Sequence, residues 1–270
     1  MCDTIELQNS RDTNSEKREQ SNLEMTTKCR ENLRNFASSN LTQALWSRLG
    51  GSRNTDRQDN EFVRFESIDD LIDAHFSAFS DQDHINRAGL TLALRQLGQR
   101  PALIVETGSS AWGVDSSRLF ASYVSSFGGE FHSVDIRPEA SQAIPFLGKN
   151  IHFHVGDSVQ FLQNFSLPKS FEKIDLLYLD SMDLNPLEPE SSMEHGLDEY
   201  RASARLLKTN SIVVIDDTPI EPFLLGRAAV EYTKQHGLVP GKGALVRKEF
   251  GDSRMAETLY HHYNLVLKVL

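Results

Sequence analysis

The sequence predicts an α/β chain: a doubly wound, mostly parallel seven-stranded sheet preceded by a helical extension. Three observations predict it. Short apolar runs recur at 102–106, 130–135, 151–155, 174–180 and 211–216, separated by helix-like stretches at 114–127, 138–148, 158–164 and 193–207. Such alternation builds a parallel sheet with helices on both faces. The first run enters a turn of Gly and small polar residues, Gly108 to Gly113, as a strand does before a helix. All five runs close on or beside an acid: Glu106, Asp135, Asp157, Asp180 and the pair Asp216-Asp217.

The elements follow in order. Residues 1–60 read as a polar arm carrying one short helix, with Leu41, Leu45 and Leu49 at helical spacing after Asn40 and a stop at Gly50-Gly51. Residues 61–270 form the folded domain, of which 61–100 are the helical extension and 101–270 the α/β core. Ser67 and Asp70 make a capping box, followed by Ile68, Leu71, Ile72, Phe76 and Phe79 on one helical face. A second helix spans 84–97 and stops at Gly98, with Pro101 beyond. After the fifth strand the pattern predicts a helix over 221–235, closed by Gly237, and strands at 243–247 and 263–269. The polar link 248–258 leaves no room for a crossover helix, so these last strands are expected to pair antiparallel.

Composition narrows the function. The 270 residues carry a net charge of −10. Nine basic residues balance nine acidic ones in 1–60, so the whole excess lies in 61–270; eight acids and no Lys or Arg fall within 174–200. That surface repels a polyanion, which argues against nucleic acid as a partner and for a small molecule. An acidic cleft suits a divalent metal or a cationic ligand; a solvated acidic loop is the plain alternative. No run of eighteen apolar residues occurs and the first twenty are polar, so neither a membrane span nor a signal peptide is expected. Cys2 and Cys29, the only cysteines, make neither a zinc site nor a disulfide framework, and a cytoplasmic setting is expected.

In an open α/β sheet, ligands bind beyond the carboxyl ends of the strands. One Asp there merely caps a helix; five acids in succession line a cleft. The glycine turn lets backbone approach a ligand, and Asp135 can take ribose hydroxyls. A dinucleotide is disfavoured, because G-x-G-x-x-G spacing is missing and Asp115 at the next helix start opposes phosphate.

Val105-Glu106-Thr107-Gly108 followed by Gly113, His132-Ser133-Val134-Asp135, Gly156-Asp157-Ser158, the run 175–180 and the run 212–217 together resemble the class I S-adenosylmethionine-dependent methyltransferases. The likeness, over about 102–218, is to small-molecule O-methyltransferases of the catechol and macrolide-sugar type. The loop holds four residues between Gly108 and Gly113 where the catechol type has three, and 182–193 is longer than its counterpart.

The resemblance implies a Rossmann-like fold, S-adenosylmethionine as cofactor, and methyl transfer to a hydroxyl of a natural product or sugar. It implies Glu106, Gly108, Ser109 and Gly113 near the methionine portion, Asp135 on the ribose, Asp157 and Ser158 beside the adenine, and Asp180 at the reacting end. It also implies Mg²⁺ on Asp180, Asp216 and Asp217, which would lower the hydroxyl pKa. A sulfonium cation suits such an acidic rim.

His195, in the acidic insertion, is a candidate general base, with an incidental exposed His as the alternative. His152 and His154 alternate along a strand and read as surface or sheet-end residues; His261-His262 have no partner at metal spacing. Trp112 suits stacking on a ligand or packing the loop. Other readings stay open: a metal-independent methyltransferase or hydroxylase-like relative, and a non-catalytic cofactor-binding module. The arm either orders over the acceptor site or mediates a homodimer.

Overall fold

The structure, a computed structural model, describes residues 64–109, 114–144, 148–251 and 253–270. The predicted arm and its Leu41 helix lie outside the described residues, as do Gly113 and Trp112.

Helix α1, Ile68–Ala78, begins where the sequence says it should: Ser67 Oγ accepts from the Asp70 N–H at 3.0 Å. It buries Ile68, Leu71, Ile72 and Phe76, while Phe79 sits at the C-cap. Helix α2, Arg87–Leu97, starts three residues later than predicted and ends at Gly98, whose φ of 71° breaks the spiral. The alternation then unfolds as β1 (Ala102–Thr107), α3 (Ser116–Phe127), β2 (Gly129–Asp135), β3 (Ile151–Val155), α4 (Ser158–Asn164), β4 (Leu176–Leu179), α5 (Glu190–Ser203) and β5 (Ile212–Ile215). Helices α6 (Arg227–His236) and α7 (Ala244–Phe250) precede β6 (Ala256–His261) and β7 (Leu265–Val269).

The seven strands lie in the order β3-β2-β1-β4-β5-β7-β6. The first five are parallel, and β7 runs antiparallel to β5 and β6. Both faces of the sheet are covered. Ile104, Phe131, Tyr178 and Val214 pack under α1, α2 and α3; Leu103, Val105, Leu177 and Val213 pack under α4, α5 and α7. All six residues of β1 are therefore buried, which is why that strand reads as apolar without alternation. The chain leaves β1 toward β2 and returns on the other side at β4. This reversal opens a crevice at the carboxyl ends of β1 and β4.

Three predictions need correction. Residues 243–247 begin helix α7 rather than a strand, and the sixth strand lies at Ala256–His261, its first half within the predicted link. Ala244, Leu245 and Val246 fit one helical turn as well as a strand, whereas β6 is a sheet edge that buries only Ala256 and lacks a core strand's apolar run. Of the helix over 138–148, Pro138–Ala143 form a 3₁₀ turn, and 145–147 lie outside the described residues. The helix over 221–235 is split by Gly226, at φ 89°, into a 3₁₀ turn, Pro222–Leu225, and α6. Antiparallel pairing of the last two strands is as expected. Among the described residues no helix is long and apolar enough to cross a membrane.

Candidate active site

The turn after β1 depends on Gly108. Its φ is 76°, its N–H donates to the Val134 carbonyl at 2.9 Å, and a Cβ there would lie 2.2 Å from the Asp180 carbonyl oxygen. Only glycine lets this backbone press against the end of β4. The next residue, Ser109, donates its N–H to Asp135 Oδ2 at 2.9 Å. Arg137 closes on the same carboxylate: Nε and the backbone N–H reach Oδ1 at 2.9 and 2.8 Å, and Nη2 reaches Oδ2 at 2.8 Å. Burial would raise the Asp135 pKa; the Arg137 hydrogen bonds and the Ser109 N–H outweigh it and hold the carboxyl below its usual range.

Glu106 does not face the cleft with its side chain. It is fully buried, and its oxygens accept from Ser116 Oγ at 2.6 Å, Ser117 Oγ at 2.5 Å and Ser133 Oγ at 2.6 Å. Burial pushes its pKa up to about 7, against the lowering by the three hydroxyls. The residue ties β1, α3 and β2 together beneath the turn.

At the end of β3, Asp157 is exposed and caps α4, accepting from the Gln160 N–H at 2.8 Å. Ser158 Oγ lies 3.0 Å from His195 Nε2, which also meets Ser181 Oγ at 2.8 Å. Ser181 Oγ donates to Glu199 Oε1 at 2.7 Å. Glu199, buried on α5 one turn beyond His195, raises the imidazole pKa by hydrogen bond and charge, against burial. His195 is thus no incidental loop residue. Gly196 lets α5 come this close: a Cβ there would lie 2.3 Å from the Lys242 carbonyl oxygen.

Past β5, the two acids part. Asp216 is buried and turned toward α2: Asn86 Nδ2 reaches its oxygens at 2.8 and 2.7 Å, Tyr178 Oη donates to Oδ2 at 2.5 Å, and the Asp217 N–H donates to Oδ1 at 2.8 Å. Asp217, at a left-handed φ of 41°, points to Tyr263 Oη at 2.8 Å and to Lys242 Nζ at 3.1 Å. Lys242 Nζ also pairs with Asp180 Oδ1. Its side chain is only 5% exposed. Burial and the Asp216 charge push Asp180 well up; burial and Asp217 raise Asp216. The ammonium stays charged despite burial because Asp180 and Asp217 hold its pKa above that of an ordinary lysine.

Residues 105–218 match the model of a family described as a methyltransferase domain. Over that segment, from β1 to the turn after β5, the chain is similar to a methyltransferase domain. No curated protein sequence matches this chain. Among solved structures, the MycE methyltransferase from the mycinamycin biosynthetic pathway in complex with Mg and SAH aligns at 16% identity and a TM-score of 0.53, over 76% of this chain and 55% of that one. The same enzyme with Mg, SAH and mycinamycin VI aligns at 17% and 0.52, with the same coverage. The chain thus spans 55% of the length of these two chains, and at such identity the likeness is one of fold.

The predicted site residues fall into two groups. Gly108, Ser109, Asp135 and Asp180 meet at the crevice, and Ser158 joins them through His195 and Ser181. The predicted Mg²⁺ site does not fit. Mg²⁺ demands convergent hard oxygens; both Asp216 oxygens are engaged elsewhere, and the gap between Asp180 and Asp217 holds Lys242. Here the cation belongs to the chain. Sequence reasoning missed Lys242, although it is the only charge within 237–246, between Gly241 and Gly243.

Proposed function

We propose that this protein moves the methyl group of S-adenosylmethionine to a hydroxyl of a small molecule, a natural product or a sugar, without a divalent metal. The observation that carries the metal-free reading is the Lys242 ammonium between Asp180 and Asp217. Methyl transfer itself rests on the domain and on the crevice, where Gly108 and Ser109 face the methionine portion, Asp135 takes the ribose, and Asp157 with Ser158 flanks the adenine.

The acceptor oxygen attacks the methyl carbon, and the carbon–sulfur pair leaves with sulfur. The hydroxyl proton leaves to solvent, while His195 Nε2, met by Ser158 and Ser181 Oγ, braces the ends of β3 and β4. Asp180, pinned by Lys242, orients the acceptor. Most of the rate comes from position and field, since the leaving group departs neutral.

Calorimetric titration of the purified protein with S-adenosylmethionine and SAH, with Mg²⁺ and then with EDTA, tests both parts. Equal affinity in the two buffers is expected. Binding of neither compound overturns methyl transfer. Binding or turnover that requires Mg²⁺ overturns the metal-free reading and returns the acids to the metal role that the MycE complexes suggest.

A further inference from the structure

A second polar cluster lies on β2 and β3, at the sheet edge opposite β6. Strand periodicity puts Glu130 and His132 on one face, and the β2–β3 register sets His132 opposite His152 and Val134 opposite His154. The four polar side chains meet. His132 Nε2 lies 3.4 Å and His152 Nε2 3.9 Å from Glu130 Oε2. One carboxylate oxygen therefore sits between two ring nitrogens, and the ligand atoms of all three residues lie within 4.8 Å of one another. It is the one such group of three His, Cys, Asp or Glu among the described residues. Tetrahedral Zn²⁺ with bonds of about 2.0–2.1 Å spaces its ligands roughly 3.3–3.4 Å apart. A contraction of the His152 side is enough.

The surroundings match a metal site in other ways. His132 Nδ1 is 3.1 Å from His154 Nε2, so a second histidine holds the ring from behind and leaves Nε2 aimed at Glu130. The His132 ring stacks on His152 at 4.5 Å and on His154 at 5.3 Å, and the edge of Phe165 closes its far side at 5.0 Å. The side chains of Glu130 and His152 are 26% and 34% exposed, which leaves a fourth coordination position to solvent. Two imidazoles and one carboxylate suit a borderline ion such as Zn²⁺ rather than Mg²⁺.

We propose that Glu130, His132 and His152 bind a Zn²⁺ ion, with His154 orienting His132 from behind. The ion clips the edge strand β3 to β2, and both strands carry crevice residues at their far ends. Methyl transfer is not needed for this reading.

The test uses the full chain, dialysed against EDTA and titrated with Co²⁺ as a visible reporter, then with Zn²⁺ in competition. His152→Ala and Glu130→Gln are partly exposed and should fold; His132→Ala removes a buried ring and is avoided. One tightly bound ion per chain is expected, with a tetrahedral Co²⁺ spectrum and a Zn²⁺-dependent rise in Tm. Both variants should bind at least ~tenfold more weakly and lose the Tm response, whereas Asp217→Asn should keep them. No binding by the parent, or binding unchanged in His152→Ala and Glu130→Gln, overturns the site. Loss in Asp217→Asn alone puts the ion at the acidic crevice and overturns it equally.

Discussion

Lys242 and Asp217 hold each other twice: Nζ reaches Oδ2 at 3.1 Å, and the Lys242 N–H donates to the Asp217 carbonyl at 3.0 Å. The backbone bond places the ammonium, and the carboxylate keeps it charged. An internal cation in the acidic crevice follows from this double hold, and it shapes the first prediction.

Lys242→Ala removes the ammonium and leaves Asp180 and Asp217 uncompensated in a buried setting. Breaking one side of such a pair costs about 3–5 kcal/mol. Urea unfolding should show that loss, and Mg²⁺ or Mn²⁺ should restore part of it in the variant while leaving the parent unchanged. A variant as stable as the parent would show that Lys242 is not the balancing charge.

Arg137 competes for the Asp135 oxygens that the ribose is proposed to take. The guanidinium is half exposed, so the pair is worth up to about 1 kcal/mol. Arg137→Ala should bind SAH up to about fivefold more tightly by calorimetry. Weaker binding would instead make Arg137 part of the cofactor site.

Glu106 gives a pH dependence of defined sign. Its pKa in the folded chain, about 7, exceeds the ordinary 4.5, so the folded state binds more protons between these values. Stability must then fall as pH rises from about 4.5 to about 7, by on the order of 3 kcal/mol, and stay low above that. Glu106→Gln should flatten this fall in thermal melts across the same window. An unchanged slope would assign it to other groups.

Gly108→Ala adds a methyl group where the Asp180 carbonyl oxygen is 2.2 Å away, at a φ that side chains resist. A loss of at least ~2 kcal/mol in urea unfolding is expected, together with loss of SAH binding. Normal binding would mean that the turn can move away from β4 without disturbing the crevice.

Much of this was legible in the chain itself. Alternating apolar runs and helix-like stretches told of the parallel sheet, because burial on two faces demands such runs. The Ser67 and Asp70 box marked the start of α1, and the acids after each strand marked the carboxyl edge of the sheet. These are local signals, carried by a few consecutive residues.

What lay out of reach was every relationship between distant residues. Lys242 and Asp180 are 62 positions apart, and no spacing rule joins them; the loop before α7 had to pack on the end of β5 first. His195 gained its partners only when Gly196 let α5 close on the Lys242 backbone. The Glu130, His132 and His152 cluster needed the register of two strands, and β6 against α7 was decided by which segment found an open sheet edge. Sequence by itself determined the periodicities and the chemical endings of the strands. Tertiary structure alone decided which charges neutralise one another, because pairing depends on distance across the fold and not on distance along the chain.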